Sequence, residues 1–150
     1  MLSQKAKYAL KAMLALADQK NGELLQAGDI SEQHNVPRKF LELILLELRK
    51  QGLVHSHRGK HGGYTLAKPA DTITFGQIVR IMDGPLAPIP CASLTGYRRC
   101  SDCKDEKTCA IRRTMREVRD AAAGILDGMT LEQASHGGVV SERVQVLGLN

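Results

Sequence analysis

The first apolar pattern runs from Lys5 to about Gln19. Tyr8, Ala9, Ala12, Met13 and Leu16 keep one face at helical spacing, Lys5, Lys7 and Lys11 stay off it, and Asn21-Gly22 supplies a stop. A short helix fits Ala27 to His34 with Ile30 inward, and a third starts at Pro37, whose missing N–H costs nothing at a first helical position. It carries Phe40, Leu41, Ile44, Leu45 and Leu48 on its apolar side and stops at Gly52. Two short helices joined by a tight turn have the shape of a helix-turn-helix. The period then changes to two. Leu53 to His57 alternates, Arg58-Gly59-Lys60-His61-Gly62-Gly63 forms a glycine-rich basic turn, and Tyr64 to Ala67 alternates again. A β-hairpin directly after a helix-turn-helix is a wing.

Beyond a hinge at Lys68-Pro69-Ala70-Asp71, Thr74 and Gln77 have capping-box spacing and open a helix that ends at Asp83, before Gly84-Pro85. No period follows until Ile111, Met115, Val118, Ala122, Ile125 and Met129, spaced as a heptad seam. Arg112, Arg113, Arg116, Glu117, Arg119, Asp120 and Asp127 fall on the opposite, solvent side. Fewer than three heptads do not stand alone, so the seam needs a partner, and a second copy of the chain is the expected one. Thr130 to Gln133 offers one more capped turn. The expected fold is mainly α (α+β): a winged helix-turn-helix over 1–83, a cysteine-rich sensor loop over 84–110, a dimerisation helix and cap over 111–136, and a poorly ordered tail over 137–150.

Charge sharpens the assignment of the first unit. Residues 1–68 hold eleven Lys/Arg against six Asp/Glu, whereas the remainder holds ten of each, so the net charge of +5 belongs to the first half. A basic half beside a neutral one points to a polyanion. The five aromatic residues, Tyr8, Phe40, Tyr64, Phe75 and Tyr97, are too scattered for a base-stacking platform, which favours duplex DNA over single strands. Arg38 and Lys39 sit in the first turn of the recognition helix, where side chains reach base edges, and Glu42 one turn on is placed to accept from cytosine N4. Arg58 suits a narrow minor groove. Lys5, Lys7, Lys60 and His61 are candidates for phosphate contacts. No apolar run approaches the ~18 residues of a membrane span, and no signal peptide is visible, so a cytoplasmic protein is expected. There is no nucleophile–base motif and no phosphate-cradling loop in a strand–helix context, which argues against an enzyme.

All four cysteines fall within nineteen residues, as Cys91-x8-Cys100-x2-Cys103-x5-Cys109. Such a cluster reads as metal or redox chemistry before structural disulfides. Four thiolates complete the ligand set of an iron–sulfur cluster, and equally that of a closed tetrahedral zinc site. Metal-free thiol switching is the third possibility. Arg98, Arg99, Lys104 and Lys107 lie among the thiols and favour their ionised forms.

Several of these motifs together resemble one family. They are Lys5-x-x-Tyr8-Ala9-Leu10, Asp29-Ile30-Ser31, Phe40-Leu41-Glu42, Leu48-Arg49-Lys50-x-Gly52-Leu53-Val54 and, most specific, the wing Arg58-Gly59-x-x-Gly62-Gly63-Tyr64-x-Leu66-Ala67. Over about residues 1–130 the chain is similar to the bacterial winged-helix regulators that include IscR, NsrR, RirA and CymR. The resemblance implies a dimeric transcription factor on a palindromic operator, with a specificity role for Glu42 and a long C-terminal dimerisation helix. It also implies an iron–sulfur cluster in the cysteine loop, as in the cluster-binding members. Those members carry three cysteines with five residues between neighbours. Here only Cys103 to Cys109 keeps that gap, and a fourth thiol is added. The alternatives are a regulator with structural zinc or a thiol switch, or a protein-binding module without a cluster.

Overall fold

The computed structural model describes residues 2–137. The first helix, α1, spans Gln4–Ala17, with Ser3 as its cap: the Ser3 hydroxyl accepts from the Ala6 N–H at 3.0 Å. Ala6, Ala9, Ala12, Met13 and Leu16 form its buried face. α2 spans Ala27–His34 and is closed by Asn35 in the left-handed conformation (φ 52°), a role in which asparagine is tolerated because its short polar side chain bonds locally. α3 spans Arg38–Lys50 and buries Leu41, Ile44, Leu45 and Leu48. Two details differ from expectation. Pro37 is the extended cap (φ −56°, ψ 126°) rather than the first helical residue, since the chain leaves the turn in that conformation. Phe40 is 38% exposed, because it lies at the border of the apolar stripe and meets Tyr8 edge-on, with centroids 5.7 Å apart and planes at 81°.

β1 (Val54–His57) and β2 (Gly63–Leu66) pair antiparallel in the register Val54↔Leu66 to His57↔Gly63. Leu25 exchanges both backbone bonds with Tyr64, at 3.1 and 2.9 Å, and so stitches the hairpin to the segment before α2. α4 spans Phe75–Asp83 under the Thr74 cap, whose hydroxyl accepts from Gln77 N–H at 3.2 Å. The long helix α5 spans Ala110–Asp127, and α6 spans Leu131–Ser135 behind a complete Thr130/Gln133 capping box.

One core gathers α1, α2, α3, β1, α4 and α6, from Ala6 to Leu131. The fold is the expected mainly helical winged helix with a two-stranded wing and a long C-terminal helix. After α5 the chain turns back into this core. Thr74 and Thr130 form a bridge, Leu131 N–H donates to Ile73 carbonyl at 2.9 Å, and the Leu131 side chain is fully buried. Met129, assigned to the heptad seam, lies past the end of α5 and is buried in this turn, because the helix stops at Asp127. The seam itself is uncovered within the chain: Ile111 is 66% and Val118 46% exposed, and Met115, Ala122 and Ile125 are half-buried. Arg119, expected on the solvent side, is the buried residue of α5. The tail beyond Gly137 lies outside the described residues.

Candidate DNA-reading surface and cysteine cavity

The residues proposed to meet DNA fall on α1, α3 and the wing. Arg38 and Lys39 open α3 and are exposed, and Arg38 Nε lies 3.2 Å from Glu42 Oε1, an i,i+4 pair across the first turn. Such an exposed pair is weak, about 0.3–0.5 kcal/mol, so either partner exchanges readily for another ligand. Lys7 is exposed on α1, whereas Lys5 is half-buried and held to Glu47 of α3 at 2.6 Å. Arg58, Lys60 and His61 are all exposed at the tip of the wing. The turn that carries them depends on its glycines. A Cβ on Gly62 would stand 2.1 Å from the His57 carbonyl oxygen, and Gly59 has φ 110°. Arg49, at the far end of α3, donates from Nη1 to Ser56 Oγ at 2.9 Å and fixes β1 against the helix.

The cysteine loop folds onto the start of α5. Cys91 is buried in a 3-10 turn, Pro90–Ala92; Cys103 and Cys109 are half-buried and Cys100 is exposed. All four line one cavity of about 300 Å³, together with Ile89, Ile111 and Arg112. The Cys100 thiol donates to Cys91 Sγ at 3.6 Å. That contact, then burial and the negative charge of Cys91, Asp102 and Cys109, pushes the Cys100 thiol above its ordinary range. Cys109 caps α5, its Sγ accepting the Arg112 N–H at 3.4 Å. The turn before it is built by Asp105, which accepts from Lys107 N–H and Thr108 hydroxyl, each at 3.0 Å, and whose carboxyl is lowered by those bonds. Tyr97 closes the loop on the other side by donating to Glu106, which raises its phenol. Among the described residues, no three His, Cys, Asp or Glu side chains converge at ligating distance as they stand.

Two arginines fasten this loop to α5. Arg112 Nε donates to the Cys91 carbonyl at 2.9 Å, and Arg119 Nη1 donates to the carbonyl of Ala92. Arg119 also pairs with Asp120, its Nε 2.7 Å from Oδ1. Both lie off the apolar seam of α5. Their spacing of seven, which puts them on one side of a helix, was the available signal.

The pattern that describes the Rrf2 family of iron-dependent transcriptional regulators matches residues 2–137. The chain belongs to the Rrf2 family. An rrf2-like HTH-type transcriptional regulator assigned to Rhodobacter capsulatus is 46% identical over 135 residues, covering 88% of this chain and 90% of that protein. The solved structure of CymR, the global cysteine regulator of Bacillus subtilis, superposes with a TM-score of 0.74 at 33% identity, covering 91% of this chain and 96% of the other. That of T. potens IscR gives 0.71 at 26% identity, over 94% and 90%. Membership makes this Rrf2 protein a DNA-binding transcriptional regulator rather than an enzyme. No helix among the described residues is long and apolar enough to cross a membrane.

Proposed function

We propose that the protein is a homodimeric, cytoplasmic, sequence-specific regulator whose operator affinity is set by an iron–sulfur cluster on Cys91, Cys100, Cys103 and Cys109. The observation that carries this reading is that all four cysteines line one cavity at the foot of α5. Four thiolates supply a full ligand set for such a cluster. The rest of the lining carries two cations, Lys104 and Arg112, and two carboxylates, Asp102 and Asp105, so its own charges balance. When bound, the group would supply a centre sensitive to iron supply or oxidation. The chain's own part is conformational: binding would replace the Cys100–Cys91 contact and gather Cys103 and Cys109 to the same centre, and the Arg112 and Arg119 bonds would carry the change to α5.

The uncovered seam of Ile111, Met115, Val118, Ala122 and Ile125 supports a second copy packed on α5. Twofold symmetry then presents two recognition helices to a palindromic operator. On each half-site Arg38, Lys39 and Glu42 face base edges, Arg58 enters the minor groove, and Lys7, Lys60 and His61 meet phosphates. Lys5 joins them on leaving Glu47.

Anaerobic purification tests the ligand. A coloured protein with iron and sulfide in stoichiometric amount, whose operator affinity changes on loss of the colour, is the expected result. A colourless protein with one equivalent of zinc, unfolded by chelation, would establish the second reading, a closed tetrahedral site favoured by the Cys100-x-x-Cys103 spacing.

A further inference from the structure

The outward side of α3 has a composition that phosphate and hydrogen-bonding contacts leave unused. Residues spaced 4, 3 and 4 share one side of a helix. Lys39, Leu43, Leu46 and Lys50 have that spacing and lie opposite the buried Leu41, Ile44, Leu45 and Leu48. All four are exposed, and Leu43 is 64% so, more than any other large apolar residue of α3. A helix that only supported a core would be polar along this strip.

The surroundings of Leu43 point to what covers it. It is four residues beyond Lys39 and adjacent to Glu42, within the first two turns of α3. That is the part of a recognition helix that enters the major groove. Lys39 and Lys50 end the strip and Arg38 and Arg49 flank it, all exposed, while the bordering Glu42 and Glu47 are each paired, with Arg38 and Lys5. A cationic frame around an apolar centre complements duplex DNA, whose phosphates border a groove floor. On that floor the apolar group is the 5-methyl of thymine.

We propose that Leu43 is a specificity-determining residue that reads a thymine methyl in each half-site. This rests on α3 being the helix that enters the major groove. The contact excludes water from a methyl group and from the end of the leucine. Burying one such carbon corresponds to about a fourfold change in affinity. Cytosine at the same position offers no methyl and rejects the leucine with a polar edge.

The experiment starts from a duplex selected by the full-length protein out of a randomised library. Each thymine is then replaced singly by deoxyuridine, which removes the 5-methyl and nothing else. Replacement at one position per half-site is expected to weaken wild-type binding about fourfold and to leave Leu43→Ala unaffected, since the contact is already gone. Leu43→Ala itself, which removes the contact from both half-sites of the dimer, should lose about the square of that factor, roughly sixteenfold, on the thymine duplex and melt like wild type, as befits an exposed site. If every deoxyuridine duplex affects the two proteins equally, the proposal is overturned while the DNA-reading assignment stands. If the wild-type protein selects no sequence, or Arg38→Ala and Lys39→Ala leave binding to the selected duplex unchanged, the assignment of α3 itself fails and the proposal fails with it.

Discussion

At the scale of single residues, the wing is where geometry is least forgiving. The obstacle to a side chain at Gly62 is backbone, the His57 carbonyl at 2.1 Å, so the turn itself must rebuild to admit one. Gly62→Ala is therefore expected to leave the helical core intact and cost about 1–3 kcal/mol in the hairpin. It would also misplace Arg58. Operator binding measured by fluorescence anisotropy should fall as far for Gly62→Ala as for Arg58→Ala, for which about 1–3 kcal/mol is expected. Equal affinity of Gly62→Ala and wild type would show that the tip of the wing does not touch DNA. Glycine spacing made the wing legible in the sequence, because only a few turn geometries suit a basic run between alternating segments. Arg119 was not legible in the same way. Arginine at a polar position of an amphipathic helix is ordinarily solvated, and only the arrival of the Ala92 carbonyl from a loop far along the chain makes it buried.

At the scale of elements, α4 and α5 are joined by a bidentate pair, Arg80 Nη1 and Nη2 to the two oxygens of Asp127 at 2.5 and 2.8 Å. The Arg80 hydrogen bond holds the Asp127 carboxyl below its ordinary value. A group so lowered adds stability above the unfolded-state value and loses it as pH falls through the folded one. The contribution is therefore present at neutral pH and disappears below about pH 4. Both side chains are more than a third exposed, which limits it to about 1 kcal/mol or less. Gly76 makes room for the pair, since a Cβ there would lie 1.9 Å from Asp127 Oδ1. Gly76→Ala sets two terms against each other: loss of the ion pair, and a gain of about 0.5–1 kcal/mol from replacing a helical glycine. Its melting temperature at neutral pH should stay near that of wild type. Its loss of stability between pH 5 and pH 3 should be shallower, as for Asp127→Asn. Denaturant melts across that range check both variants, and a wild-type slope in either would remove the pair from the acid limb. The element boundaries themselves were largely legible, because caps and stops such as Thr74, Thr130, Gly52 and Gly84 punctuate clear periods. The packing of α6 was not, since its single core residue, Leu131, gives no period to read.

At the scale of the whole molecule, the exposed seam of α5 is where a second copy is proposed to pack. Val118 lies at the middle of the exposed seam, so Val118→Glu should fold normally and sediment as a monomer. Because linked half-sites gain from effective concentration, its affinity for a full operator should drop by about 10²-fold or more, and its affinity for a half-site should not change. A dimer that survives this substitution would move the interface elsewhere. The cysteine arrangement shows the limit of spacing as a guide at this scale. The gaps of eight, two and five residues do not announce a common cavity. A 3-10 turn, an Asp105-built turn and the cap of α5 place the four cysteines around one cavity, and each is a loop device without a period.

The Leu131 anchor has a mechanical consequence. With eighteen residues, α5 is about 27 Å long. Its far end is riveted to the body that carries α3, through Asp127 and the Thr130 turn, while the cysteine loop grips it near the other end. A beam held in this way responds to a small push at the loop by pivoting about the rivet. In the proposed dimer, where α5 packs on its partner, that pivot would swing the body that carries α3, the helix proposed to face the operator. On the proposed reading, a shift of an ångström or two beside Cys91 would become a change of tilt between two reading heads.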